Sequence, residues 1–289
     1  MRSLLFVPSD SPRKLDKAMT SSADAMILDL EDAIAPDRKA AARTGAAAFL
    51  KEATSATSRP RLFVRVNGLT SGLTDADLEG VVPAGPDGIV LPKAEGGASV
   101  IHLDAKVTAL EAIHGLPDGG ISVLAFAVET AKALFLAGTY ASSSRRLSGL
   151  TWGAEDFAFE LGATANRDAR GRFLEPYRLA RSLCLAAAAS AQVQAIDTVH
   201  IDFRNGEGLR REAEDARRDG FTGKMAIHPA QVAIINEIFA PQPEAIARAQ
   251  AVVDAFAANP GTGVVAIDGV MYDRPHLVRA EQLLARIKS

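Results

Sequence analysis

Cysteine is almost missing from this chain of 289 residues: Cys184 stands alone in an Ala-rich apolar run. One thiol excludes a disulfide within the chain and leaves a Cys-based zinc site unsupported. Basic charge is not in excess either. Lys and Arg number 32 against 35 Asp and Glu, for a net charge of −3, so no nucleic-acid partner is expected. No stretch approaches the roughly 18 uninterrupted apolar residues of a membrane helix. The opening MRSLLFVPSD has a short apolar run cut off by Pro8 and no small-residue cleavage site. The expectation is a soluble, cytoplasmic protein with no membrane partner. A GxGxxG loop after a strand is lacking, which argues against a dinucleotide fold. A GxSxG elbow, a low-complexity segment and a solenoid repeat are lacking too. The histidines, His102, His114, His200, His228 and His276, show no metal-ligand spacing. Only His228 falls at a predicted strand end, where its ring would brace a loop.

What is present is an ordinary globular composition, 48% hydrophobic and 23% charged. Short apolar runs of strand length recur at Leu4–Val7, Ala25–Leu30, Arg61–Val66, Gly88–Leu91, Ser122–Val128, Leu147–Trp152, Ile196–Ile201 and Lys224–Ile227. Most are continuous rather than alternating, as strands buried on both faces should be. Helix signals lie between them. Ser11-Pro12 and Pro36 open two helices, 98–113 and 130–140 have helical composition, Pro176 opens a long helix, and 205–218 is stopped by Gly220. Strands alternating with helices predict parallel pairing through crossovers, and eight such units suit a TIM (β/α)8 barrel over a doubly wound sheet. Beyond it, helices are predicted at 229–239, 243–258 and 275–287, with a turn-rich piece between the last two. The predicted organisation is a barrel domain, residues 1–229, and a C-terminal helical extension, residues 230–289, packing on the barrel or on a neighbouring subunit.

In such a barrel, chemistry belongs where strands end. The predicted ends are polar: Asp29, Glu31 and Asp32 at the second, Arg65 and Asn67 at the third, Lys93 at the fourth, Glu129 at the fifth, Glu155 and Asp156 at the sixth, Asp202 at the seventh. Neighbouring strands lie about 4.8 Å apart. Carboxylates at the fifth and sixth ends can therefore meet one cation, and oxygen ligation points to Mg²⁺ or Mn²⁺. The competing reading of each acid is a helix N-terminal residue. Arg65 either binds an anion or forms a structural salt bridge to Glu31 or Asp29. No lysine is read inside a strand as a Schiff-base lysine would be, and Lys93 is a weak candidate for that role.

The segments RSLLFVPSDSPRKLDKA, DAMILDLEDAIAPDRKAAAR, LFVRVNG, GIVLPKAE, AVETAKAL, TWGAEDFAFELG and KMAIHPAQV together resemble the citrate lyase β-subunit-like CoA-ester lyases of the HpcH/HpaI aldolase family. The resemblance runs in order over nearly the whole chain. It implies a TIM barrel with a helical extension, a homotrimer or hexamer, and Mg²⁺ held by Glu129 and Asp156. It implies that Arg65 and Glu129 face the substrate and that Glu31 and Asp32 order metal-bound waters. It implies that Arg13 and Lys14 bind coenzyme A, and that Asp273 reaches a neighbour's site as the catalytic base. Its chemistry is a carbon–carbon bond made or cleaved between a short acyl-CoA and a 2-oxo acid. The alternatives are a pyruvate aldolase without CoA, a subunit acting on a carrier-protein thioester, and a non-catalytic assembly barrel. Ser9 departs from the glycine usual in the family's first loop, so the backbone's approach to CoA is expected to differ.

Overall fold

The computed structural model describes residues 1–56 and 58–288, the last three of these by backbone alone. Two compact units divide the chain, Met1–Phe239 and Ala240–Ser289.

The first unit is a closed barrel of eight parallel strands in sequence order. It opens with β1 (Ser3–Pro8), α1 (Pro12–Met19), β2 (Ala25–Asp29), α2 (Lys39–Ala53), β3 (Arg61–Arg65) and α3 (Thr74–Val81). It continues with β4 (Gly88–Leu91), α4 (Gly97–His114), β5 (Ser122–Val128), α5 (Ala131–Leu136), β6 (Leu147–Trp152), α6 (Ala154–Glu160) and α7 (Glu175–Ala191). It finishes with β7 (Gln194–Asp197), α8 (Gly206–Asp219), β8 (Gly223–Ala226) and α9 (Pro229–Phe239). Closure is a parallel pairing of β1 with β8, Leu4 opposite Met225.

Alternation along each strand sorts side chains into two apolar layers. Leu4, Ile27, Phe63, Val90, Leu124, Ile196 and Met225 fill the barrel interior. Their strand neighbours, among them Leu5, Met26, Leu62, Ile89 and Val123, join the helices in the outer core. Both faces of every strand are thus covered, which explains the continuous apolar runs.

Three readings of the sequence need correction. The seventh strand runs over Gln194–Asp197, not Ile196–Ile201. It starts two residues after Gln192, the left-handed cap of α7, and the chain leaves the sheet after Asp197. Asp202 is therefore an exposed loop residue, and Ile201 is 48% exposed. Secondly, Lys224, read at the head of the eighth run, lies inside the strand. Lys224 of β8 is fully buried, bonded to Asp197 at 3.0 Å and 3.5 Å from Glu212 of α8. Asp197 also accepts from Trp152 Nε1 at 2.9 Å and Arg181 at 3.2 Å. These donors let a carboxylate and an ammonium sit in the core. Thirdly, an unpredicted helix, α3, separates β3 from β4; its TDADLEGV has few apolar residues, and a buried Asp77 is part of its inward face.

The second unit consists of α10 (Pro243–Ala258), a hairpin of β9 (Val264–Ile267) and β10 (Val270–Asp273), and α11 (Arg274–Lys288). Val252, Phe256, Val265 and Ala280 form its small core. The turn-rich piece of the sequence is thus a β-hairpin. Val270 pairs with Ile267 across Asp268-Gly269, whose φ values of 52° and 76° make the tight turn that such a two-residue loop requires.

The end of the barrel where strands begin carries its own buried ion cluster. Arg146, just before β6, is 4% exposed. It donates to both oxygens of Glu111 on α4, at 2.8 and 2.6 Å, and to Asp104 at 2.5 Å. Glu111 also accepts from Gly119 and Ile121 backbone amides. Removing one partner leaves the other as an uncompensated buried charge, at a cost of about 3–5 kcal/mol. Arg146→Met is expected to lower the thermal midpoint by roughly 5–15 °C without changing ligand binding, measured by calorimetry beside a binding assay; an unshifted midpoint would reject the cluster's structural role.

Candidate active site

At the opposite end, where strands stop, a cavity of about 430 Å³ opens into the barrel mouth. Its floor and one wall are apolar: Phe6, Phe126, Met225, Val199 and Ile227. Its other side is charged, with Asp29, Asp32, Arg65, Glu129, Glu155 and Asp156. Four of the residues expected to form the site, Arg65, Glu129, Asp156 and Asp32, are thus brought together from β3, β5, β6 and β2. Glu31 joins them through Lys93 and Arg65.

Glu129 follows β5 directly and is 1% exposed. The β5–β6 register slips by one residue between Phe126 and Val128, which then pairs with Trp152. Such an irregularity beside a site re-aims the next side chain. Gly153, after β6, lets the carboxylate lie against the backbone, since a Cβ there would stand 2.8 Å from Glu129 Oε1. Asp156 follows in the first turn of α6. Burial pushes the Glu129 carboxyl up to about 8, and the charge of Asp156 pushes the same way, against Lys93. A carboxylate so placed needs a cation beside it.

Two protein cations stand there. Arg65 makes a two-pronged contact with Asp29, Nε at 2.8 Å and Nη2 at 2.6 Å, and its Nη1 lies 3.0 Å from Glu31. The guanidinium rests over the Phe6 ring, 4.8 Å from its centre. Of the two sequence readings of Arg65, the salt bridge to Asp29 and Glu31 is present, and the arginine it fixes also lines the cavity. Asp29 is braced in turn by the amides of Glu31 and Ala33. Lys93 places its ammonium against Glu31 and within 3.6 Å of Asp32 and 3.5 Å of Asp156. Its amide donates to Glu129 Oε2 at 2.5 Å. Burial works against the Lys93 charge, but the bond to Glu31 and the charges of Glu31, Glu129 and Asp156 outweigh it and hold the amine far above the usual lysine range. That charge state speaks against a Schiff-base nucleophile, which must be neutral.

Among the described residues, no three Asp, Glu, His or Cys side chains form a ready-made metal cage. Mg²⁺ does not require one, because it keeps several waters and takes one or two carboxylates. The donor set fits such an ion: Glu129 and Asp156 are all-oxygen donors, and the glycine cradle at 153 leaves Glu129 room.

Arg13 and Lys14 do not line this cavity. Arg13 and Lys14 are exposed on the first turn of α1, at the same end of the barrel, and make no ion pair among the described residues. Asp273 ends β10 in the second unit, bonded to His276, which holds its carboxyl below the usual range. His228 caps α9 by accepting from the Ala230 amide and stacks on Phe203, so it braces a loop as expected. Ser9 is 2% exposed with no positive φ, so its backbone makes no demand for glycine.

The sequence reading passed over the braces. Lys39 of α2 bonds the Leu30 and Glu31 carbonyls and Asn67 Oδ1, tying the second strand's loop to the third. Thr198 and Val199 line the cavity only because β7 stops early. A correct strand length was the signal for the second pair; nothing in the pattern marks Lys39.

Residues 2–229 match the HpcH/HpaI aldolase/citrate lyase family. The chain belongs to that family. Residues 175–289 also match the C-C bond lyases of the TIM-barrel fold. The chain is 37% identical to a (3S)-malyl-CoA thioesterase of Cereibacter sphaeroides, over all of this chain and 95% of the relative. It is 35% identical to the citrate lyase β subunit of Haemophilus influenzae, over 100% of this chain and 97% of the relative. Among solved structures, CitE of Mycobacterium tuberculosis in complex with magnesium, acetoacetate and coenzyme A superposes with a TM-score of 0.77 at 33% identity, over 100% of this chain and 98% of that one. As a member of this family the protein is a carbon–carbon lyase with a TIM-barrel fold. No helix among the described residues is long and apolar enough to cross a membrane.

The raised Glu129 carboxyl makes a signed prediction. Its stabilising contribution is full below the ordinary glutamate value of 4.5 and is lost as pH rises through about 8. In chelator-treated protein, the melting temperature of wild type relative to Glu129→Gln is expected to fall between pH 5 and pH 9. A pH-independent difference would contradict the burial of an uncompensated acid.

Proposed function

We propose that this protein is a Mg²⁺-dependent lyase that makes or cleaves a carbon–carbon bond between a short acyl-CoA and a 2-oxo acid, of the malyl-CoA or citramalyl-CoA type. The observation that carries the reading is the convergence of Glu129, Asp156 and Arg65 on one cavity at the barrel mouth. CitE of M. tuberculosis, alike over the full chain, holds magnesium, a small keto acid and coenzyme A.

Glu129 and Asp156 would hold the ion, and Glu31 and Asp32 would order its waters. Bound there, the ion supplies a Lewis acid for the carbonyl of the 2-oxo acid. Arg65 provides fixed positive charge where the oxygen gains negative charge as the bond forms or breaks. The apolar floor of Phe6, Phe126 and Met225 excludes water from that charge and strengthens it. Arg13 and Lys14, exposed and unpaired, would meet CoA phosphates, which favours a CoA ester over a free 4-hydroxy-2-oxo acid. Asp273 is the base assigned to the methyl carbon of the acyl group, delivered by the second unit of a neighbouring copy in a homo-oligomer. Its proton transfer contributes about 10²–10⁴-fold.

The direct test offers acetyl-CoA and propionyl-CoA with glyoxylate or pyruvate and Mg²⁺, and malyl-type CoA esters in reverse, read by mass spectrometry. A condensed 3-hydroxyacyl-CoA, or its cleavage, is the expected product; hydrolysis to free CoA and a hydroxy acid alone would replace the lyase reading with a thioesterase. Asp156→Ala is expected to abolish Mg²⁺-dependent turnover in a folded protein, and Arg65→Met to lower kcat by about 10²–10³. Mixing inactive Asp273→Asn with inactive Asp156→Ala chains should restore part of the activity. No complementation after demonstrated subunit exchange would withdraw the neighbour's aspartate.

A further inference from the structure

Lys93 touches both proposed metal ligands, and it does so with its two ends. Its amide holds Glu129 Oε2 at 2.5 Å, while its ammonium lies 3.5 Å from Asp156 Oδ1. The same ammonium reaches Glu31 and stands 3.6 Å from Asp32. It therefore sits among the four carboxylates that the proposed site assigns to the ion and its waters. The backbone there is bent to allow this: Lys93 has φ 51°, a left-handed conformation that non-glycine residues adopt rarely. The contact is not an ordinary surface pair. Glu31 is 6% exposed, and the Lys93 side chain is itself two-thirds covered. Arg65, the other cation of the site, is already forked onto Asp29 and cannot balance four acids alone.

A divalent ion at Glu129 and Asp156 would face this ammonium at a few ångströms. At that range two cations in a partly buried site repel strongly. The lysine has somewhere to go. It is a flexible four-carbon stem with a rotatable head, it is 36% exposed, and it already contacts Glu31, with Asp32 at 3.6 Å.

We propose that Lys93 is a built-in placeholder cation. In the metal-free protein its ammonium neutralises the carboxylate cluster and keeps the site folded. Entry of Mg²⁺ or Mn²⁺ drives it off Asp156 and leaves it on Glu31 and Asp32, so the metal's affinity is set by competition with the chain's own lysine. Its amide stays on Glu129 in both states and orients that ligand. This is a positioning role and rests on the metal assignment made above.

The test uses the full chain stripped with chelator. Mn²⁺ binding is followed by titration calorimetry in wild type and Lys93→Met, and wild-type crystals are soaked in Mn²⁺. Lys93→Met is expected to bind the ion at least about tenfold more tightly, because a competing charge is gone, and to melt at a lower temperature in chelator. In the soaked crystal the ammonium should have left Asp156. Equal or weaker Mn²⁺ affinity in a folded Lys93→Met chain overturns the placeholder, as does a bound ion beside an unmoved Lys93–Asp156 contact. The crystal decides the matter if Lys93→Met does not fold. Absence of Mn²⁺ binding in both proteins would instead sink the metal assignment, so the two failures read differently.

Discussion

A carboxylate that cannot reach water governs the mouth of this barrel. Glu129 is 1% exposed, and Asp156 faces it across the β5–β6 junction. An isolated carboxylate in such a place would take up a proton. The structure sets positive charge beside it, which offsets part of that burial, and the surrounding groups explain one another. Arg65 is held by Asp29, Asp29 by the amides of its own loop, and that loop by Lys39 and Asn67. Lys93 bends its backbone to a left-handed conformation to serve both Glu129 and Asp156. Gly153 has no side chain because the carboxylate occupies that space.

The barrel was legible because burial on both faces writes each strand as a continuous apolar run. The position of the site was legible because polar residues end those runs. Register and length were less so. Asp197 looked like a residue a strand could pass through on its way to Ile201, whereas its carboxylate is the last fixed point of β7, tied to Lys224, Arg181 and Trp152. Lys224 stood at the head of its predicted run, but its burial there makes sense only with its partners in view. The hairpin of the second unit was a different miss: Asp268-Gly269 between apolar runs is a plain local signal for a tight turn. The roles given to Arg13, Lys14 and Asp273 came from resemblance alone, and no periodicity or spacing could have supplied them.

The two ends of the barrel use buried charge in opposite ways. At the end where strands begin, Arg146 and Glu111 satisfy each other with short bonds and added backbone amides, and the cluster is closed. At the end where they stop, the acids outnumber the cations that face them, and the cluster is open. An open acidic cluster is less stable than a closed one, and it is the open one that has affinity left for an ion. Stability and chemistry are thus separated along the barrel axis, as the fold allows.

The fork between Arg65 and Asp29 limits what the arginine can offer a ligand. A guanidinium has five N–H groups; Asp29 takes two, and a third faces Glu31. At most two remain, so Arg65 cannot present its full paired edge to an incoming carboxylate. Its rotamers are already fixed by folding, and a ligand's arrival costs it little further entropy. Arg65 is therefore a rigid charge with a narrow contact, and in the proposed role it would discriminate by where an oxygen sits rather than by closing around it. In the proposed reaction the substrate's bulk would meet the apolar lining of the cavity, from Phe6 to Met225.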